Sequence, residues 1–259
     1  MRHTVGMSTA RPVDRRAFLL TAGAAVAGAC ASILPAYAGE APVVVELFTS
    51  QGCSSCPPAD AFLAELAERP GVIAVSYNVD YWDYLGWRDT LASPVFSRRQ
   101  RDYAARRGDG RVYTPQMIIN GRRHEVGSRK SAVYDAIATE ASGNGLYSVP
   151  MRASEIADEI VVEIAGAPTD RVKQDSTVWV LMVQPRATVA IARGENSGRE
   201  ITYVNSVRRI IPVGMWHGEA VTLNLPKADL MVEGATICMA FLQVGGIGPI
   251  LAAARYPAS

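Results

Sequence analysis

Two hydrophobic periods alternate along the first half of the chain. Val43-Val44-Val45-Glu46-Leu47-Phe48 is an apolar run broken only by Glu46, the pattern of a strand buried on both faces. After the short loop Thr49-Ser50-Gln51-Gly52, apolar residues recur with helical spacing at Ala61, Phe62, Leu63, Leu66 and Ala67. Asp60, Glu65, Glu68 and Arg69 lie between them. A second strand is predicted at Val72–Val79, then a polar, aromatic segment from Asp80 to Leu91, then a helix over Pro94–Arg107. Pro115–Ile119, the turn dipeptide Asn120-Gly121 and Arg122–Val126 predict a hairpin. A helix from about Ser128 to Thr139 closes a unit of order β-α-β-α-β-β-α.

The pattern changes after Ala141-Ser142-Gly143-Asn144-Gly145, which reads as a boundary. Short strands are expected at Val149–Ala153, Ile160–Ala165, Thr177–Gln184, Thr188–Arg193, Glu200–Val207, Ala220–Leu225, Thr236–Val244 and Ile250–Arg255. Turn signals between them include Gly194-Glu195-Asn196-Ser197-Gly198, Pro212-Val213-Gly214 and Gly245-Gly246. Strands and turns in this density predict an all-β sandwich-like domain over residues 147–259.

Residues 1–38 read as an address. Asp14-Arg15-Arg16-Ala17-Phe18-Leu19-Leu20 has the paired arginines of a twin-arginine export signal, and Ala36-Tyr37-Ala38 an A-x-A cleavage site. A rival reading puts lipid on Cys30, although Ala27 is small for the first position of a lipobox. The mature protein is expected in the periplasm or secreted, with no stable membrane span, since no other stretch is apolar enough. The composition, 49% hydrophobic and 20% charged, is that of a soluble globular protein. A formal net charge of +1 gives no global electrostatic case for nucleic acid.

Export concentrates attention on sulfur. Removal of the signal leaves Cys53, Cys56 and Cys238, in a compartment where disulfides persist. Cys238 lies in the apolar run Ala235–Phe241 and reads as core. Cys53-Ser54-Ser55-Cys56 stands at a strand-to-helix turn, where two cysteines can close a small ring and a helix N-terminus stabilises a thiolate. His3, His124 and His217 do not join the cysteines into a four-ligand set, so neither metal nor cofactor is expected.

Residues 42–142 resemble the thioredoxin superfamily, on the CxxC after the first strand, the element order, and Tyr113-Thr114-Pro115-Gln116 ahead of the hairpin. The resemblance implies an α/β thioredoxin-like domain followed by an all-β sandwich-like domain. It also implies a cis peptide at Pro115, with Thr114 and Pro115 binding a substrate backbone beside catalytic Cys53 and Cys56. Glu46, seven residues before Cys53, stands near the place of a buried proton-relay acid in that superfamily, but one residue out of step; a pairing with an arginine is the alternative. The whole layout is similar to a family of secreted bacterial proteins with a thioredoxin-like domain and a β-rich domain. Phe48–Pro58 and Gly194-Glu195-Asn196 carry that likeness.

Departures from thioredoxins refine the expectation. Gly52 stands where a tryptophan usually precedes the first cysteine, and Pro57 and Pro58 should start the regular helix near Pro58, with Cys56 just outside it. Trp82 and Trp87 are expected to form a substrate-binding wall or a cap over the pair. The expected function is thiol–disulfide oxidoreduction on protein or small-molecule thiols and disulfides. The alternative is a non-enzymatic binding protein with a structural Cys53–Cys56 bridge. Redox direction and oligomeric state are not written in the sequence.

Overall fold

The apolar run forms β1 (Val43–Thr49), buried along its whole length between β2 (Val72–Asn78), parallel to it, and β3 (Gln116–Ile119), antiparallel. The computed structural model describes Met1, 41–142, 148–169, Arg171 and 173–257. The expected signal, cleavage site and Cys30, and most of the expected boundary, lie outside the described residues. From residue 41 onward the described residues belong to one compact unit.

Local chemistry sets the first elements. α1 (Pro57–Ala67) begins on two prolines, whose missing N–H groups cost nothing in a first turn. α2 (Pro94–Arg107) is capped by Ser93, whose side chain accepts from Val95 N, and ends at Gly108 in the left-handed region. β3 and β4 (Arg123–Val126) turn through Asn120 and Gly121, both at positive φ. Gly121 is required twice over, because a Cβ there would lie 2.2 Å from the Gly248 carbonyl oxygen. α3 (Lys130–Ala141) joins α1 on one face of β1, over Val43, Val45 and Leu47; α2 covers the other, over Val44 and Phe48.

The expected pair of folds, a thioredoxin-like α/β domain followed by a separate sandwich, is not formed. The later strands include β5 (Met151–Ile156), β6 (Glu159–Ile164), β7 (Ser176–Ala190) and β8 (Glu200–Trp216). β9 (Val221–Pro226), the single turn α4 (Lys227–Leu230), β10 (Ile237–Val244) and β11 (Ile250–Tyr256) complete them. One mixed eight-stranded sheet runs β11-β10-β7-β8-β2-β1-β3-β4, and a three-stranded sheet, β5-β6-β9, stands apart. The physical reason is the edge of β2: β8 docks there in parallel at Ser76↔Ser206, which removes an open edge and carries the first sheet into the second half of the chain. Side chains of the small sheet, among them Ile160, Val162 and Ile164, pack on Val178, Val180 and Leu242 of the large one.

Two strands are also longer than expected. The expected strands Thr177–Gln184 and Thr188–Arg193 merge into β7, which ends at Ala190, and β8 runs straight through the expected Pro212-Val213-Gly214 turn. Pro212 is tolerated because a bulge falls beside it: Trp179 faces Pro212 while Val178 faces Gly214.

Candidate functional site

Cys53 and Cys56 are joined by a disulfide. Cys56 is the N-cap residue of α1, just outside the helix, and its carbonyl accepts from Ala59 N at 2.8 Å and Asp60 N at 3.1 Å. The loop is pinned by Cys53 N to Ser50 O, 3.1 Å, and Cys56 N to Cys53 O, 3.2 Å. Ser54 and Ser55 are exposed, but the cysteines are 1% and 0% exposed. The Ser55 hydroxyl lies 3.4 Å from the Cys53 sulfur.

Trp82 connects this loop to the segment before β3. Its indole Nε1 donates to Thr114 Oγ1 at 2.8 Å, and its Cβ stands 2.9 Å from where a Cβ on Gly52 would be. The smallness of Gly52 is therefore what lets Trp82 approach. The Thr114–Pro115 peptide is cis. The Pro115 carbonyl accepts from Gly127 N at 2.9 Å, and a Cβ on Gly127 would press on Ala59 in the first turn of α1. Trp87 Nε1 donates to Gln51 Oε1 at 2.8 Å. Trp82 and Trp87 thus reach the disulfide loop directly, whereas Thr114 is linked to it through Trp82 and Pro115 to α1 through Gly127.

Glu46 is not. Side chains alternate along a strand, and Glu46 shares the α2 face with Val44 and Phe48, while Thr49 and α1 lie on the other. Its carboxylate accepts from Arg99 Nε at 2.8 Å and from the Tyr103 hydroxyl, so the arginine pairing is the one formed. Burial is the largest single influence on Arg99 and opposes its charge, but Glu46, Tyr103 and Tyr77 together outweigh it and raise the guanidinium pKa.

The acid on the disulfide side is Asp60, one of the polar residues that lie between the helically spaced apolar ones. It follows Cys56 by one helical turn and is 3% exposed. Oδ1 accepts from Thr49 Oγ1 at 2.7 Å, while the buried Oδ2 has no hydrogen-bond partner. Burial pushes its pKa up to about 7, against the Thr49 hydrogen bond, and Asp89 raises it further. Asp89 is also buried, accepting from Gln51 N, Asn78 Nδ2 and Leu91 N. Burial raises its pKa, the hydrogen bond from Gln51 N being the largest opposing influence. Burial, then Asp60 and Asp89, raise the Tyr203 hydroxyl as well. The available signal was position: Asp60 shares the buried stripe of Ala59, Phe62, Leu63 and Leu66.

A third group was legible only as a motif. On the turn between β7 and β8, fully buried Asn196 donates from Nδ2 to Gln51 O and Cys53 O, both at 2.9 Å. Its neighbour Glu195 accepts from Ser54 N at 3.3 Å. Cys238 is a free, buried thiol, pushed up to about 12 by burial. Among the described residues no group of three or more His, Cys, Asp or Glu is gathered for a metal, and no helix is long and apolar enough to cross a membrane.

Comparison with known proteins fixes the family. The chain belongs to the family described as Protein of unknown function (DUF1223), which matches residues 44–243. The crystal structure of protein AGR_C_4864 from Agrobacterium tumefaciens is similar at 37% identity and TM-score 0.73, covering 84% of this chain and 95% of that one. HBP35 of Porphyromonas gingivalis is similar in fold alone, at 14% identity and TM-score 0.55, covering 83% of this chain and 74% of that one. No curated protein matches. This membership replaces the resemblance to the thioredoxin superfamily with an appended β-rich domain, because the motif sits in one mixed sheet built from both halves of the chain.

Proposed function

We propose that this member of the family is an exported thiol–disulfide oxidoreductase working through Cys53 and Cys56. Asp60 carries the reading. A buried carboxyl with one unpartnered oxygen, protonatable near neutrality, stands one helical turn from Cys56. A disulfide kept only as a staple has no use for such a group, whereas one that opens needs a proton when its sulfur is released.

In the oxidising direction, a thiolate of a substrate dithiol attacks Cys53 Sγ. A substrate–Cys53 bond forms, the Cys53–Cys56 bond breaks, and the electron pair leaves on Cys56, which takes the Asp60 proton. The second substrate thiolate then attacks the substrate sulfur of this mixed disulfide, closing the substrate disulfide and releasing Cys53 as a thiolate. Two electrons pass from substrate to protein. The reverse sequence reduces a substrate disulfide, and Asp60 then accepts the proton of the Cys56 thiol. Thr114 and Pro115 are assigned to the substrate backbone, and Trp82 and Trp87 to its flanks. The Trp82–Thr114 hydrogen bond and the contact of Trp82 with Gly52 support that assignment. The partners are protein or small-molecule thiols and disulfides, met in the periplasm or outside the cell, and no cofactor is called on.

One observation favours a second reading, a binding protein with a permanent bridge: both sulfurs are almost fully buried. The reduction potential of the purified mature protein against a thiol–disulfide redox series separates the two. A value between about −120 and −270 mV is expected; a value below about −300 mV marks a structural bridge and ends the oxidoreductase reading.

A further inference from the structure

The turn between β7 and β8 reaches the disulfide loop from a distant part of the sequence and touches it on both sides of Cys53. Asn196 binds the carbonyls of Gln51 and Cys53. Its own orientation is fixed by Arg199, whose guanidinium donates to Asn196 Oδ1 at 3.1 Å. The turn closes on itself through Ser197 N to Gly194 O at 3.1 Å and Gly198 N to Ile191 O at 2.8 Å. Gly194, at φ +79, is seated against Trp87: a Cβ there would lie in contact with the Trp87 Cβ, at 3.4 Å. Such a turn holds whatever residue stands between Gly194 and Asn196 beside Cys53.

That residue is a glutamate. We infer that Glu195 sets the redox poise of the Cys53–Cys56 pair, by holding a carboxylate against the Ser54 N–H next to the sulfur that becomes a thiolate on reduction. Among the described residues the Glu195 carboxylate makes no ion pair. The disulfide is neutral, so the negative charge disfavours only the reduced, ionised form. The N-terminal end of α1 acts in the opposite sense, favouring the thiolate. Glu195 therefore offsets part of that stabilisation, draws the potential downward and raises the Cys53 pKa. It acts through Cys53 as a positioning residue, not on substrate. Being exposed, it works across screened distances, and its effect fades as salt is added.

The test compares wild type with Glu195→Gln and Glu195→Lys. Glutamine keeps an oxygen for the Ser54 N–H and removes only the charge; lysine reverses it. Each protein is equilibrated with dithiothreitol, which passes two electrons to the pair and closes to its cyclic disulfide. The Cys53 pKa is read from alkylation rate against pH in the Cys56→Ala background. At low ionic strength the Gln variant is expected to shift the equilibrium toward the dithiol by about twofold to tenfold, tenfold being about 30 mV for a two-electron couple. The Lys variant shifts it further, and the Cys53 pKa falls in the same order. In about 1 M salt, where the screening length is about 3 Å, the differences shrink toward zero. Equal potentials and pKa values at low salt overturn the inference. So does a shift that survives unchanged in high salt, since it then reports a rearranged loop. The inference rests on Cys53–Cys56 being reducible, and the two can fail separately. The absolute wild-type potential decides the oxidoreductase reading, whereas the difference between variants decides the role of Glu195.

Discussion

Two buried acids lie on opposite faces of the sheet around β1, and they have opposite surroundings. Glu46 has every oxygen occupied: Arg99 and Tyr103 donate to it. Arg99 donates in turn to the side-chain Oε1 of Gln243 at 3.0 Å, and Gln243 Nε2 donates to the Tyr103 hydroxyl and to the Gly248 carbonyl, both at 2.8 Å. Asp60 has one donor for two oxygens, a second acid nearby, and unpartnered buried oxygens on Asn78 and Tyr203 in the same region. Burial alone is equal, so partner supply decides the outcome. A buried carboxylate with a guanidinium and a hydroxyl has its charge matched by donors; one with a single hydroxyl does not, and for Asp60 burial pushes the pKa up to about 7.

The sharpest way to break this contrast is to remove the cation from the closed network. Arg99→Leu leaves Glu46 buried without its counter-charge, and a loss of about 3–5 kcal/mol in unfolding free energy is expected from urea titration. Replacing both partners, Arg99→Leu with Glu46→Gln, should recover a large part of that loss, because no buried charge is then stranded. A single-variant loss below about 1 kcal/mol would show that the pair is not what separates the two faces.

Asp60 gives the next largest effect, with the opposite sign. Its pKa is raised from 3.8 to about 7 in the folded protein, so between these values the native state binds more protons than the unfolded chain. Stability from this group is present at low pH and falls as pH rises from about 4 to about 7, with no further loss beyond. About three units at 1.36 kcal/mol each bound the penalty at about 4 kcal/mol. Asp60→Asn should remove this slope and stabilise the protein at about pH 8 by up to that amount, while changing little at about pH 4. Parallel curves for wild type and variant in urea midpoint against pH would sink the assignment.

These residues also show where the sequence was readable. The strand, loop and helix around Cys53 were legible because their signals are local: an apolar run, two prolines, helical spacing. The hairpin at Asn120-Gly121 was legible for the same reason. What was not legible depended on long-range pairing. Nothing in Ser206 announces that it will dock beside Ser76, so the sheet was divided where it is continuous. Pro212 reads as a turn until β7 supplies the bulge that accepts it. The resemblance places Glu46 near a proton-relay acid, but its spacing is one residue out of step and a strand changes face with every residue, so that step turns it to Arg99, the alternative pairing. Asp60 was overlooked because an acid in a helix ordinarily faces water, and only the Thr49 contact and the packing of α1 reveal that it does not. Asn196 lies far along the chain from Cys53, beyond any local rule.

The smallest effect tests the boundary between the two faces. The Glu46 network is closed to water, whereas the Asp60 side leads through the disulfide loop to half-buried Trp82. Trp82→Phe keeps the Cβ that stands against Gly52 but removes the N–H that reaches Thr114 Oγ1. At this half-exposed rim water replaces the lost donor, so a cost of about 0.5–1.5 kcal/mol is expected, well under that of Arg99→Leu. Gly52→Ala attacks the same contact sterically, forcing a Cβ to within 2.9 Å of Trp82, and should cost more than the lost hydrogen bond. If Trp82→Phe proved as damaging as Arg99→Leu, the rim would be as tightly built as the closed network. The disulfide loop would then lack the freedom that the proposed exchange at Cys53 requires.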